Sequence, residues 1–125
     1  MDERRRETRR RLTTFTPVYD LQPRTLLGYL GDLTLRGALV IGINAATLNK
    51  KTRIEINFPS DLSELETFQV RVPVRIAWCR QDESPDYFNI GVQFLELEPK
   101  QVELFHQILA RYQFRYTLSD SDFDE

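Results

Sequence analysis

The chain has 125 residues, room for one domain with one core, and 41% of them are hydrophobic and 29% charged. Its single cysteine excludes a disulfide framework or a cysteine-ligated zinc site within one chain, and no run of 18 apolar residues is present to span a membrane. The net charge of −2 averages two opposite ends: six of the fourteen arginines fall in residues 4–11, while Asp120, Asp122, Asp124 and Glu125 crowd the last six positions.

Residues 1–11 (MDERRRETRRR) are too charged and too short of apolar side chains to pack, and read as a flexible arm. Residues 12–19 mix Thr, Phe and Val in a first strand pattern, and Gln22-Pro23 marks a turn. Residues 25–33 form a second strand pattern broken by Gly28 and Gly31, and residues 38–43 a third after Gly37. In residues 53–58, Ile54, Ile56 and Phe58 alternate with Arg53, Glu55 and Asn57, which predicts one buried and one wet face. Residues 70–79 repeat the pattern. Val70, Val72, Val74, Ile76 and Trp78 are expected inside, and Arg71, Pro73, Arg75, Ala77 and Cys79 on the polar side. Residues 88–97 give a sixth strand with Ile90, Val92 and Phe94 inward. After Pro99 the period changes: Val102, Phe105, Ile108, Leu109 and Tyr112 recur at helical spacing, and this stripe must cover a barrel mouth or sheet face. Six short strands and one helix predict an antiparallel barrel or sandwich capped by a helix, followed by an acidic tail.

Nothing in the pattern supports an enzyme. The sole histidine, His106, sits mid-helix with no nucleophile placed beside it, no Gly-rich P-loop occurs, and no His/Asp/Glu cluster has metal-ligand spacing. Cys79 has nothing in the sequence to lower its pKa, and Trp78 reads as a core residue rather than a ligand platform. Two features do point to a ligand. The arm uses arginine alone, with no lysine before Leu12, which suits bidentate grip on phosphate and stacking on a base. The segment GDLTLRG offers Asp32 to accept from a guanine edge, Thr34 to hydrogen-bond a phosphate oxygen, and Gly37 to permit a positive φ and close backbone approach.

In this order the two features resemble the PilZ family, whose pattern is an RxxxR arm followed by a [D/N]xSxxG turn. Arg5 to Arg9 supplies RxxxR, and Arg6 to Arg10 supplies it in a second register. Asp32 to Gly37 supplies the turn, with Thr34 in the serine position. Ile76-Ala77-Trp78 and Ile90-Gly91-Val92-Gln93-Phe94 are similar to the family's later strands. The resemblance implies a mainly all-β fold, a six-stranded antiparallel β-barrel with a C-terminal helix. It also implies a non-enzymatic bacterial receptor that binds cyclic di-GMP, often as an intercalated dimer, and needs no cofactor or metal. Carried onto this chain, Arg5 and Arg9 (or Arg6 and Arg10) would grip phosphate and stack on guanine, Asp32 would read a guanine edge, Thr34 would hold phosphate and Gly37 would shape the turn.

The expected organisation is an arm at 1–11, barrel and helix at 12–116, and a solvated acidic tail at 117–125, in a cytoplasmic protein without a secretory signal. An alternative keeps the fold as a PilZ-like protein-interaction module that binds no nucleotide. Nucleic-acid binding by the arm is disfavoured by overall acidity and the lack of lysine patches. Signalling would require a downstream protein partner that the sequence does not identify.

Overall fold

A computed structural model describes residues 10–11, 16–58 and 69–113, with the backbone alone at 10–11 and 111–113. Strand β1 (Arg10–Arg11) is followed by β2 (Pro17–Leu21), β3 (Arg24–Leu33), β4 (Gly37–Gly42), β5 (Lys51–Asn57), β6 (Gln69–Gln81) and β7 (Phe88–Phe94). Helix α1 (Pro99–Arg111) runs into β8 (Tyr112–Gln113). Strands β2 to β7 close an antiparallel barrel in the order β2-β3-β4-β7-β6-β5, so the sheet has no free edge. This is the mainly-β barrel with one C-terminal helix that the alternation and the resemblance predicted.

The barrel is filled by β-branched side chains pointing inward at every second position. Val18, Val40, Ile54, Ile56, Val72, Val74, Ile90 and Val92 are fully buried. Helix α1 closes one mouth, where Phe105 and Ile108 are also fully buried. The Phe105 ring lies 5.6 Å from that of Phe94 and 6.5 Å, edge on, from that of Phe58. Pro99 starts the helix, and Gln101 reaches back so that its Oε1 accepts from the Glu98 N–H at 3.0 Å. Gln101 Nε2 also donates to the Arg71 carbonyl at 2.8 Å, tying the helix to β6. Strand directions put the residue 34–36 turn, the start of β2 and the helix at the same end of the barrel. The opposite end holds a polar cluster around Asp20. Its Oδ2 accepts from Lys50 Nζ at 2.8 Å, and its Oδ1 accepts from Thr52 Oγ1 at 2.6 Å and the Gln22 N–H at 3.0 Å. Burial pushes the Asp20 carboxyl up, but these bonds and the Lys50 charge outweigh it and leave the pKa below the ordinary 3.8.

Three expectations are corrected. Glu55, expected wet, is 1% exposed. It lies on the outer face beneath Arg24 and Arg71, whose guanidinium groups bond its two oxygens at 3.2 and 3.0 Å. In β6 the alternation breaks at a bulge between Ile76 and Trp78. Trp78 therefore leaves the core for the outer face, where it packs with Leu39, Ile41 and Ala77, while Cys79 turns inward against the main core. Finally, α1 ends at Arg111, and Tyr112–Gln113 pairs in parallel with Arg10–Arg11. The expected unpaired arm therefore has its last two residues in a short ladder with the chain that leaves the helix.

Candidate functional site

The β3–β4 turn is built around Thr34. Its hydroxyl oxygen accepts from the Arg36 N–H at 3.1 Å and the Gly37 N–H at 3.2 Å, and its proton goes to the Gly37 carbonyl at 3.3 Å. That carbonyl also accepts from the Thr34 N–H at 2.9 Å. The hydroxyl expected to hold phosphate is thus occupied in shaping the turn, and any ligand contact would be made in exchange for the long bond to Gly37. Gly37 is buried, and no glycine among the described residues has a positive φ, so the expected left-handed glycine is corrected. The Arg36 carbonyl accepts from the Phe94 N–H at 2.9 Å, which fastens the turn to β7.

Asp32, two residues before Thr34, is a buried acid on the outer side of β3. Register carries its row across four strands: Asp32 opposes Leu39, Leu39 opposes Gly91, and Gly91 opposes Trp78. Gly91 has to be glycine here. A Cβ at that position would lie 2.2 Å from Trp78 Cε2, so the indole lies across the bare backbone of β7. The Arg80 guanidinium stands 4.4 Å from the centroid of the Trp78 ring. One row along, Tyr29 opposes Ile41 and Ile41 opposes Asn89, whose buried Oδ1 has no hydrogen-bond partner among the described residues. On the other side, Gly37 opposes Gln93 and Gln93 opposes Arg75. Arg75 donates to Gln93 Oε1 through Nε at 3.1 Å and Nη2 at 2.8 Å, and to Asn49 Oδ1 through Nη1 at 2.8 Å. The outcome is an aromatic and apolar surface with an acid at one end and arginines at its flank, chemistry suited to a flat, hydrogen-bonding, anionic ligand.

Of the residues singled out in the sequence, the fold gathers Asp32, Thr34 and Gly37 at one corner of this face. Arg5, Arg6 and Arg9 lie outside the described residues, and Arg10 is described by its backbone alone, in β1. The reading missed Trp78, Arg75 and Arg80 as members of the same face. One signal was available. A glycine inside the otherwise apolar Ile90-Gly91-Val92 run marks a place where another group comes close to the backbone.

The family model described as PilZ domain matches residues 3–114. The chain belongs to the PilZ family. The match takes in the arm, the turn, all six barrel strands and the helix, so both family motifs lie within one continuous PilZ domain. PilZ domains are typically non-enzymatic modules that bind cyclic di-GMP. No curated protein and no solved structure matched the chain in the corresponding searches. Among the described residues of this PilZ domain, no group of three or more His, Cys, Asp or Glu is placed to hold a metal ion, and no helix is long and apolar enough to cross a membrane.

Proposed function

We propose that this PilZ domain is a receptor for cyclic di-GMP that binds the dinucleotide on the outer face of β3, β4, β7 and β6. The observation that carries the reading is the cross-strand row Asp32–Leu39–Gly91–Trp78, which joins the motif acid to a flat aromatic surface beside the β3–β4 turn. A guanine base has adjacent N–H donors for a carboxylate and a π-face for an indole, and one ligand would satisfy both ends of the row. Arg5 and Arg9, or Arg6 and Arg10, would grip the two phosphates from the arm. Arg75 and Arg80 stand on the same face for a second base or phosphate. Thr34 and Gly37 act by holding the turn, and the threonine hydroxyl would reach a phosphate only in exchange for its bond to the Gly37 carbonyl.

Binding would order the arm, and its new position would signal to a partner protein. The β1–β8 ladder supports this route, because it joins the root of the arm to the end of α1. Titration calorimetry with cyclic di-GMP, and with GTP and cyclic GMP as controls, tests the reading. Saturable heat is expected for the cyclic dinucleotide, and Trp78→Ala and Asp32→Ala should each weaken it. Absence of binding by the intact chain would overturn the receptor reading and leave a protein-interaction module.

A further inference from the structure

The indole of Trp78 is covered on both faces. An added Cβ at Gly91 would lie 2.2 Å from Cε2 but 2.5 and 2.6 Å from Nε1 and Cζ2, the two atoms bonded to Cε2 on either side. A point above a ring plane is nearest the atom beneath it, whereas a point outside the rim would be nearer the two flanking atoms. Gly91 therefore meets the face of the indole and not its rim. Trp78 and Arg80 stand two residues apart on β6, opposite Gly91 and Asn89, and so share the outer side of the barrel. With one face closed by the backbone of β7, the Arg80 guanidinium, 4.4 Å from the ring centroid, lies over the other. A planar ligand that stacks on Trp78 has to take the place that Arg80 holds.

Little holds Arg80 there. It is exposed, and among the described residues the ring contact is the one interaction of its side chain. Asp82, the next acid along the same strand, is engaged elsewhere. Its Oδ1 accepts from Asn89 Nδ2 at 3.0 Å and its Oδ2 from the Ser84 N–H at 3.3 Å. A cation–π contact at an exposed site is weak, and a charge-assisted bond from a guanidinium to a phosphate is stronger. We infer, on the reading of this face as the nucleotide site, that Arg80 is a specificity-determining residue that exchanges one partner for another. A base displaces the guanidinium from the indole, and the guanidinium turns to a phosphate carried by the same ligand. A ligand with both groups regains more than it displaces. A base without a phosphate displaces the guanidinium and returns nothing. Arg80 thereby selects against nucleosides and other uncharged aromatic compounds, on a surface whose apolar and aromatic character alone would accept them.

The experiment follows the emission of Trp78, the sole tryptophan, while the full chain and its Arg80→Ala variant are titrated with cyclic di-GMP and, separately, with guanosine. Arg80 is exposed, so the barrel tolerates its truncation. Opposite changes are expected. Affinity for cyclic di-GMP should fall roughly tenfold, because the phosphate bond lost outweighs the ring contact no longer displaced. Affinity for guanosine should rise about two- to fivefold, because its ring no longer has to displace the guanidinium. A simple loss of structure around Trp78 would weaken both ligands together. Guanosine affinity that falls or stays level would make Arg80 a fixed platform or a bystander and overturn the exchange. A parent chain that binds neither ligand would bring down the nucleotide reading and this inference together. A parent that binds cyclic di-GMP no better than the variant does would bring down this inference alone.

Discussion

Thr34 and Gly91 show how single residues set the candidate site. Removing the Thr34 hydroxyl leaves the Arg36 and Gly37 N–H groups without their acceptor. Thr34→Ala should therefore lower stability by about 1–2 kcal/mol in urea unfolding, whereas Thr34→Ser should match the parent, since the hydroxyl alone makes these bonds. A Cβ at Gly91 collides with the Trp78 ring and drives it off β7. Trp78 is the sole tryptophan, so Gly91→Ala should shift the emission spectrum of the whole protein and weaken cyclic di-GMP binding while the barrel stays folded. Residue-level legibility divided along the same line. That Thr34 and Gly37 share one turn could be read from type and spacing because the turn is local in sequence. The outward position of Trp78 could not, because alternation from Val70 onward points it inward and one extra residue at the bulge reverses that.

Strand β5 shows what alternation conveys and what it omits. Its pattern correctly assigned Ile54 and Ile56 to the core, but it read Glu55 as wet because residue type carries no information about two arginines arriving from other strands. The Arg24 bond is the largest influence holding the Glu55 carboxyl below its ordinary 4.5, against burial that pushes it up, and the Arg71 bond adds to it. With both Glu55 and Asp20 depressed in the folded chain, the unfolded chain binds more protons as the pH falls. Stability should be fully present above about pH 5, then decline as pH drops through 4.5 and 3.8 and below. Urea midpoints measured from pH 7 to pH 3 should show this decline, and Glu55→Gln should flatten its upper part. Because Arg24 and Arg71 are half exposed, losing either alone should cost no more than about 1 kcal/mol. Losing both strands a buried carboxylate and should cost about 3 kcal/mol or more, a clear departure from additivity.

For the molecule as a whole, the strands close into a barrel, and the proposed nucleotide response is expected at the N-terminal arm. Strands β5, β6 and β7 and the helix were legible from their period, and the three earlier barrel strands from β-branched and aromatic runs between turn signals. The joining of Arg10–Arg11 to Tyr112–Gln113 was not, since a two-residue ladder leaves no periodic trace. Each arginine that grips a phosphate contributes about 1.5–3 kcal/mol. Calorimetry on Arg9→Ala should therefore show cyclic di-GMP affinity falling roughly ten- to a hundredfold. If Arg10→Ala has that effect instead, the second register of the motif is the one in use. Trp78 emission should respond to the ligand in the parent chain.

The bulge in β6 also bears on how the length of this chain can vary. Ile76 points inward and opposes Val92, and the next two partners of β7, Gly91 and Ile90, take Trp78 and Cys79, leaving Ala77 without a partner of its own. Deleting Ala77 would put Trp78 directly after Ile76, outward, and Cys79 after it, inward, which is the phase both already have. A one-residue deletion inside a barrel strand usually turns every later side chain to the wrong face. Here it would straighten the strand and leave each residue on its own side, a loss of length that folds of this kind ordinarily tolerate only in loops. Relatives that differ by one residue at this point would then share the same outer face.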